Sequence, residues 1–392
     1  MDVTLTTAQL DWREEVRDFL DAELPTKWEK STEFNEAEDF WEFAESFTRK
    51  VSSKGWIGLT WPKEYGGQGR PAIDQLIFSE EMTYREAPIM NSIGWGLAAG
   101  ALLYGGTHEQ KEKFLPPIAR TEVRWAEGYT EPAAGSDLAS LSTRAVRDGD
   151  EWVINGQKTF TTWGSHADVL YLAVRTDPDA PRHRGISIFC FPLDQPGVSF
   201  GPLHNLGGGR QNHTYIDNAR VPHENLIGRE GRGWDLIMGG FYGGNIGAAY
   251  MDAQRRLDKV VEYCKVTKRG GRLLIDDPIV RDQLAEMDLL VQSERLLTFE
   301  SLSNLQSGRP PVYAGSIGTV VQKEAMPRFA ELTNLIVGPL GQLAIGSKWT
   351  PMGDDPNGGP EAWFRHSFRN HAGGTSQVKR MVLATRGLGL PR

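Results

Sequence analysis

Hydrophobic periodicity changes twice along this chain, and each change marks a block rather than an alternation. Near the N-terminus, Trp12, Val16, Phe19 and Leu20 fall on one face of a helix that Thr7 can cap. Phe40, Phe43, Phe47 and Val51 share a second helical face over residues 35–53, with Asn35 as N-cap and Glu38 three residues on. The glycine- and aromatic-rich stretch 55–69 reads as a loop, and helical spacing resumes from Ile73 to about Pro116. From about 123 to 230 the pattern turns to strands, at 151–162, 169–176 and 185–191, with Asn155-Gly156 expected to turn a hairpin. From Trp234 helical spacing returns and runs to the C-terminus, broken at K-R-G-G-R (268–272) and in a glycine/proline-rich loop from Gly346 to Pro360. Helices, then strands, then helices argue against a doubly wound βαβ sheet. A length of 392 residues suits two or three cores. The expected class is mainly α with a central β domain, divided 1–122, 123–232 and 233–392.

Charge and composition narrow the function. A net charge of -8 disfavours a nucleic-acid surface, which needs clustered Lys and Arg. No apolar run is long enough to cross a bilayer, and the N-terminal residues lack a secretory pattern, so a cytoplasmic protein is expected. Cys190 and Cys264 lack metal or redox spacing and read as buried thiols. The eight histidines include no H-x-x-x-H, so no metal site is expected.

The most informative stretch is G-Y-T-E-P-A-A-G-S-D-L-A (128–139), followed in the same β block by K-T-F-T-T (158–162). With G-R-E-G-R-G-W (228–234) and the G-G-T-S that precedes a last helix, it resembles the acyl-CoA dehydrogenase family over essentially the whole chain. The closest likeness is to a bacterial branch acting on steroid side chains. That resemblance implies an N-terminal helical domain, a β-barrel-like middle domain and a C-terminal four-helix bundle. It implies FAD as cofactor, an acyl-CoA substrate and electron-transfer flavoprotein as acceptor. It also implies a homo-tetramer or an α2β2 hetero-tetramer with a related chain. By motif, Tyr129, Thr130, Phe160, Thr162 and Thr375 meet the cofactor, while Ser136, Gly244 and Asn245 fall at the substrate.

Two departures stand out. Desaturating a thioester between Cα and Cβ needs a base for the α-proton, usually a carboxylate whose pKa burial has raised. The family's two positions for that glutamate correspond here to Gly373 and Gly244. His371 is a substitute candidate, although a histidine two residues from the glycines reads equally as a loop residue capping a carbonyl. Thr267 and Pro278 stand where the family carries polar contacts to a partner's cofactor, with Lys268, Arg269 or Arg272 as replacements by charge, and Lys379 replaces a common Gln. The glycines at 243, 244, 373 and 374 either open a pocket for a bulky acyl group or serve backbone geometry alone. Two functional readings follow: an FAD-dependent acyl-CoA dehydrogenase acting on a bulky thioester, or a non-catalytic subunit that completes a partner's FAD site. A nitroalkane-oxidising variant of the scaffold is disfavoured, because no Asp follows Asp355.

Overall fold

A computed structural model describes residues 4–25, 38–207, 211–240, 247–307, 313–344, 347–352, 359–368 and 372–391. Helix α1 (Thr7–Glu23) starts one residue earlier than Thr7 would cap it. Thr6 is the N-cap, its hydroxyl accepting from Gln9 N while the Gln9 side chain accepts from Thr6 N. Trp12, Val16, Phe19 and Leu20 are its buried face, as the spacing predicts. Helix α2 (Glu38–Ser53) follows, and the expected cap Asn35 lies outside the described residues. Helix α3 (Ala72–Tyr84) packs on α1. A π-helical turn, Ile93–Ala98, runs straight into α4 (Ala99–Gly105), and α5 (His108–Ala119) begins on a second capping box, Thr107 with Gln110.

The middle of the chain forms β1 (Trp125–Gly128), β2 (Arg144–Asp148), β3 (Glu151–Thr162), β4 (Val169–Arg175), β5 (Ile186–Pro192), β6 (Val198–Leu203) and β7 (Gln211–Pro222). They make one seven-stranded sheet in the order β1-β4-β2-β3-β7-β6, with β5 also on β4. β1 runs parallel to β4, and the β2–β3, β3–β7, β6–β7 and β4–β5 pairs are antiparallel. The strands alternate between two cores. Ala126, Leu170, Leu172, Phe189 and Phe191 fill one side. Trp125, Tyr129, Tyr171, Ile188 and Cys190 face the other, where they join the core of the N-terminal helices.

The expected hairpin turn at Asn155-Gly156 is not there. Both residues sit inside β3, and the chain reverses earlier, between β2 and β3, where Gly149 takes φ +64°. The glycine serves close approach instead. A Cβ on Gly156 would lie 2.5 Å from Thr143 Oγ1 and 2.7 Å from Thr143 Cα, at a register shift between β3 and β7.

The C-terminal block comprises α6 (Gly233–Gly240), α7 (Tyr250–Val266), α8 (Pro278–Gln306), α9 (Ala314–Val337), α10 (Pro360–Ser367) and α11 (Ser376–Val382). Between α7 and α8 the K-R-G-G-R stretch makes a minimal antiparallel pair, Lys268–Arg269 with Arg272–Leu273, turned by Gly270 and Gly271 at positive φ. Asp277 then caps α8, accepting from Ile279 N at 2.9 Å, with Pro278 in its first turn. No described helix is long and apolar enough to cross a membrane. Gly156→Ala should lower stability by about 2 kcal/mol through overpacking against Thr143, measured by denaturant or thermal unfolding. An unchanged midpoint would refute the close-approach account.

Candidate active site

The site grows from the end of β1. Beyond Gly128 the chain turns through Tyr129–Ser136, closed by Glu131 N to Ala134 O and Ala134 N to Glu131 O, both 3.1 Å. Glu131 is buried, and its carboxylate collects donors from three directions. Oε1 accepts from Lys158 Nζ at 2.7 Å and Thr143 N at 2.8 Å, and Oε2 accepts from Ser142 N at 2.7 Å and Ser142 Oγ at 2.8 Å. Lys158 is fully buried on β3 and also donates to Tyr129 O at 3.2 Å. Burial works against the Glu131 carboxylate. The Lys158 charge and hydrogen bond, with the Thr143 and Ser142 bonds, win and hold its pKa at about 2. Burial pulls the Lys158 ammonium below its ordinary value while Glu131 opposes that loss.

This pair sets the loop against β3. Thr159 N donates to Thr130 O at 2.9 Å, so Tyr129, Thr130 and the K-T-F-T-T segment meet. There β3 bulges: its register with β7 shifts between Lys158 and Thr161. Thr161 turns inward, its hydroxyl accepting from Thr214 Oγ1 at 3.1 Å. Phe160 between them takes φ +58° and keeps 41% exposure. An aromatic residue in a left-handed conformation is a strained choice, and such strain persists where the surrounding structure enforces it for a function. Trp163 is also left-handed, at φ +62°. Its ring packs edge-on against Trp41 of α2 at 4.5 Å, and Trp41 stacks on His166 at 4.7 Å, which fixes the far end of the segment. Thr130 and Thr162 are half-buried and Ser136 is exposed.

An exposed flat ring, flanked by Thr130 and Thr162 at the end of a braced loop, suits a planar heteroaromatic group such as an isoalloxazine. The cofactor residues read from the β block are thus brought together. Thr375 belongs to the C-terminal block. It caps α11, its hydroxyl accepting from Val378 N at 3.3 Å, and α11 packs on α9. Gly373 takes φ +68° and Gly374 φ +93°. A Cβ on Gly373 would meet nothing within 4 Å among the described residues, whereas one on Gly374 would meet Lys379 Cε at 3.2 Å. Lys323 of α9 donates to Ala372 O at 2.6 Å and pins the chain just before the glycines. Gly244, Asn245 and His371 lie outside the described residues. Of the cations considered as substitute contacts to a partner's cofactor, Arg269 donates to Ile336 O and Arg272 to Asp276 O. Both are occupied with this chain's own backbone. Among the described residues no cluster of His, Cys, Asp and Glu could hold a metal ion.

Comparison with known proteins agrees with this arrangement along the chain. The acyl-CoA dehydrogenase N-terminal, middle and C-terminal domain models match residues 6–122, 126–219 and 231–388. The chain belongs to the acyl-CoA dehydrogenase family. Members of this family are FAD-dependent flavoproteins and oxidoreductases acting on CH–CH groups. Acyl-CoA dehydrogenase FadE26 of Mycobacterium tuberculosis is 37% identical over 354 residues, covering 88% of this chain and 87% of its own. Among solved structures, one from the ChsE4–ChsE5 complex of Mycobacterium tuberculosis superposes with a TM-score of 0.89 at 33% identity, covering 100% of both chains. The Tcur3481–Tcur3483 steroid ACAD superposes at 0.90 and 32% identity, with the same coverage. The family fold, with helical end domains around a curled β domain, is the expected one.

Sequence reasoning missed the brace. Glu131 was legible in Y-T-E-P and Lys158 in K-T-F-T-T, but nothing in their spacing of 27 residues pairs them. Removing one partner of a buried pair strands the other charge. Glu131→Gln should therefore cost about 3–5 kcal/mol of unfolding free energy, and Glu131→Gln with Lys158→Met should recover much of it. The pH dependence has a definite sign. Because the folded carboxylate is held at about 2, below its ordinary value, its contribution is complete above roughly pH 4.5 and is lost as pH falls toward 2. Denaturant titrations of the three proteins between pH 3 and 7 check both expectations. Equal stability of wild type and single variant would refute them.

Proposed function

We propose that this chain is an FAD-dependent acyl-CoA dehydrogenase that desaturates a bulky, steroid-like or branched acyl-CoA thioester between Cα and Cβ. The observation that carries the reading is Phe160, strained and exposed on a bulge braced by Lys158 and Glu131. Bound FAD supplies the hydride acceptor for the β-carbon. Tyr129, Thr130, Phe160 and Thr162 hold the flavin ring, and Thr375, at the start of α11, meets the cofactor from the C-terminal side. Ser136, exposed on the loop, contacts the CoA part, and Gly244 and Asn245 border the acyl group. Hydrogen bonds to the thioester carbonyl, drawn from backbone N–H groups, acidify the α-carbon by stabilising developing enolate charge. The usual carboxylate base is replaced by Gly373 and Gly244, and His371 is the nearest substitute on the chain. The bulky substrate class takes support from the similarity to the steroid ACAD. The electron acceptor is an electron-transfer flavoprotein, and the chain works in the cytoplasm as a tetramer, homomeric or α2β2.

A second reading has its own support. Gly373 offers no carboxylate, Arg269 and Arg272 are engaged by backbone carbonyls, and a structural neighbour is the ChsE4–ChsE5 complex of two chains. On that reading the chain is a non-catalytic subunit that completes a partner's FAD site.

The two separate by visible absorption of the chain purified alone and co-purified with a related chain. Flavin colour in the isolated chain, bleached anaerobically by a bulky acyl-CoA, is the result expected of a dehydrogenase. A colourless chain that gains flavin only with its partner, and whose complex is inactivated by removing the partner's base alone, would sink that reading in favour of the second. Gly373→Glu places a carboxylate in open space at a strain of about 1 kcal/mol for the left-handed backbone. If the pocket lacks only its base, bleaching should accelerate by about 10²-fold or more. No acceleration in a stably folded, flavin-loaded variant would count against the pocket assignment.

A further inference from the structure

The turn that lacks its carboxylate is bordered by two lysines. Lys323, on α9, is 7% exposed, and Lys379, on α11, is half-buried. The two helices pack together, and the ammonium groups are near enough for the charge of one to act on the other. Lys323 is committed to the backbone, donating to Ala372 O at 2.6 Å just before the glycines. Lys379 approaches from the other end of the turn. Its side chain folds back from α11, so that Cε and Nζ lie 3.2 and 3.7 Å from the point where a Cβ on Gly374 would stand. The place of a Cβ on Gly373 is open for 4 Å among the described residues. An amine on a flexible four-carbon stem thus stands one residue from the position that corresponds to the family's glutamate, beside space it can enter.

We propose that Lys379 is the base that takes the α-proton of the acyl-CoA thioester in place of the missing glutamate. This rests on the acyl-CoA dehydrogenase reading. The step balances within that reaction. The Cα–H bond breaks, the proton makes a third N–H bond on the neutral amine, and the electron pair left on Cα spreads onto the thioester carbonyl, while the β-hydride passes to bound flavin. Lysine bases serve other sites in which a carbon acid is turned into an enolate. The amine must be neutral to act, and its surroundings push that way. Burial penalises the charged form and holds Lys379 below the ordinary lysine value. The neighbouring elements offer it no unengaged carboxylate among the described residues. On α9, Lys323 is a second cation and Glu324 is taken by Arg380 at 2.6 Å, and the π-helical turn after α11, Leu383–Gly387, carries Arg386. The bond from Lys323 to Ala372 O favours its charged form, so the proton that the pair gives up is the one on Lys379. The change from a common Gln to Lys at 379 and the loss of the carboxylate at 373 then belong together. His371, the other candidate, lies outside the described residues and is separated from Lys379 by experiment.

The test uses the flavin-loaded protein and anaerobic bleaching by a bulky acyl-CoA. Lys379→Met should slow bleaching by about 10²-fold or more at unchanged flavin content, and added ethylamine should recover at least about tenfold of the loss. Lys379→Arg keeps the charge but cannot give up its proton, and should be as slow as Lys379→Met. His371→Ala should stay within about twofold of wild type. A second measurement needs neither turnover nor a variant. Competitive labelling of wild type with acetic anhydride, read by mass spectrometry, should show Lys379 becoming neutral at least about one pH unit below the ordinary lysine value of about 10.4. The wild-type bleaching rate should rise with pH through that same midpoint, because the amine accepts a proton only once it has lost its own. An ordinary labelling midpoint would overturn the proposal, as would wild-type bleaching rates in Lys379→Met or Lys379→Arg; each leaves the dehydrogenase reading standing. Loss of bleaching in His371→Ala but not in Lys379→Met would give the role to His371 and overturn it as well. Flavin-loaded wild type that no bulky acyl-CoA bleaches would instead remove the dehydrogenase reading itself, and this proposal with it.

Discussion

The buried ion pair between Lys158 and Glu131 is the constraint on which the rest of the site depends. In sheet order β1 and β3 are separated by β4 and β2, yet the pair joins the loop after β1 to the body of β3. That is possible only because the sheet curls. The curl brings Thr130 O within 2.9 Å of Thr159 N, and the bulge that follows turns Phe160 outward at positive φ. Taking two charges out of water is expensive, and the pair holds because every lone pair of Glu131 has a geometrically sound donor. The result is placement more than net stability: the loop has one position, and so does the aromatic ring it frames.

The two halves of the family site are held by different physics. The β half is braced by buried charge and by Trp163 edge-on and His166 stacked against Trp41, so its side chains are fixed within the single chain. The C-terminal half rests on a helix cap at Thr375, on Lys323, which secures the Ala372 carbonyl, and on Arg380 of α11 paired with Glu324 of α9. Gly373 and Gly374 between them both take positive φ, and a Cβ on Gly373 would meet nothing within 4 Å among the described residues. Chemistry that requires a positioned base is therefore most sensitive to this second half.

Much of the fold was legible because it is written in periodicity. The buried faces of α1 and of the strands follow from spacings of three to four and of two, and the block order excludes a doubly wound sheet. The hairpin misreading at Asn155-Gly156 shows where local rules stop. An Asn-Gly pair favours a turn, but Gly156 is required by the approach of Thr143, just before β2, a contact invisible to any short window. Phe160 was identifiable by motif, whereas its strain was not, because it arises from a register shift against β7. Glu127 went unread for a similar reason: its neighbour Tyr171 is 44 positions away and meets it only across a parallel pair.

Glu127 also bears on how the chain reaches this structure. β1 is short, W-A-E-G, and its ladder partner runs to Leu172, so during synthesis β1 has no mate until some forty further residues have emerged. An apolar strand held waiting is an invitation to pair with another copy. A charge in its centre discourages that encounter, as gatekeeper residues do in exposed strands. The same carboxylate that is costly once half-buried thus protects the nascent chain, and an apolar replacement would be felt first as precipitation during expression rather than as weakness in the finished fold.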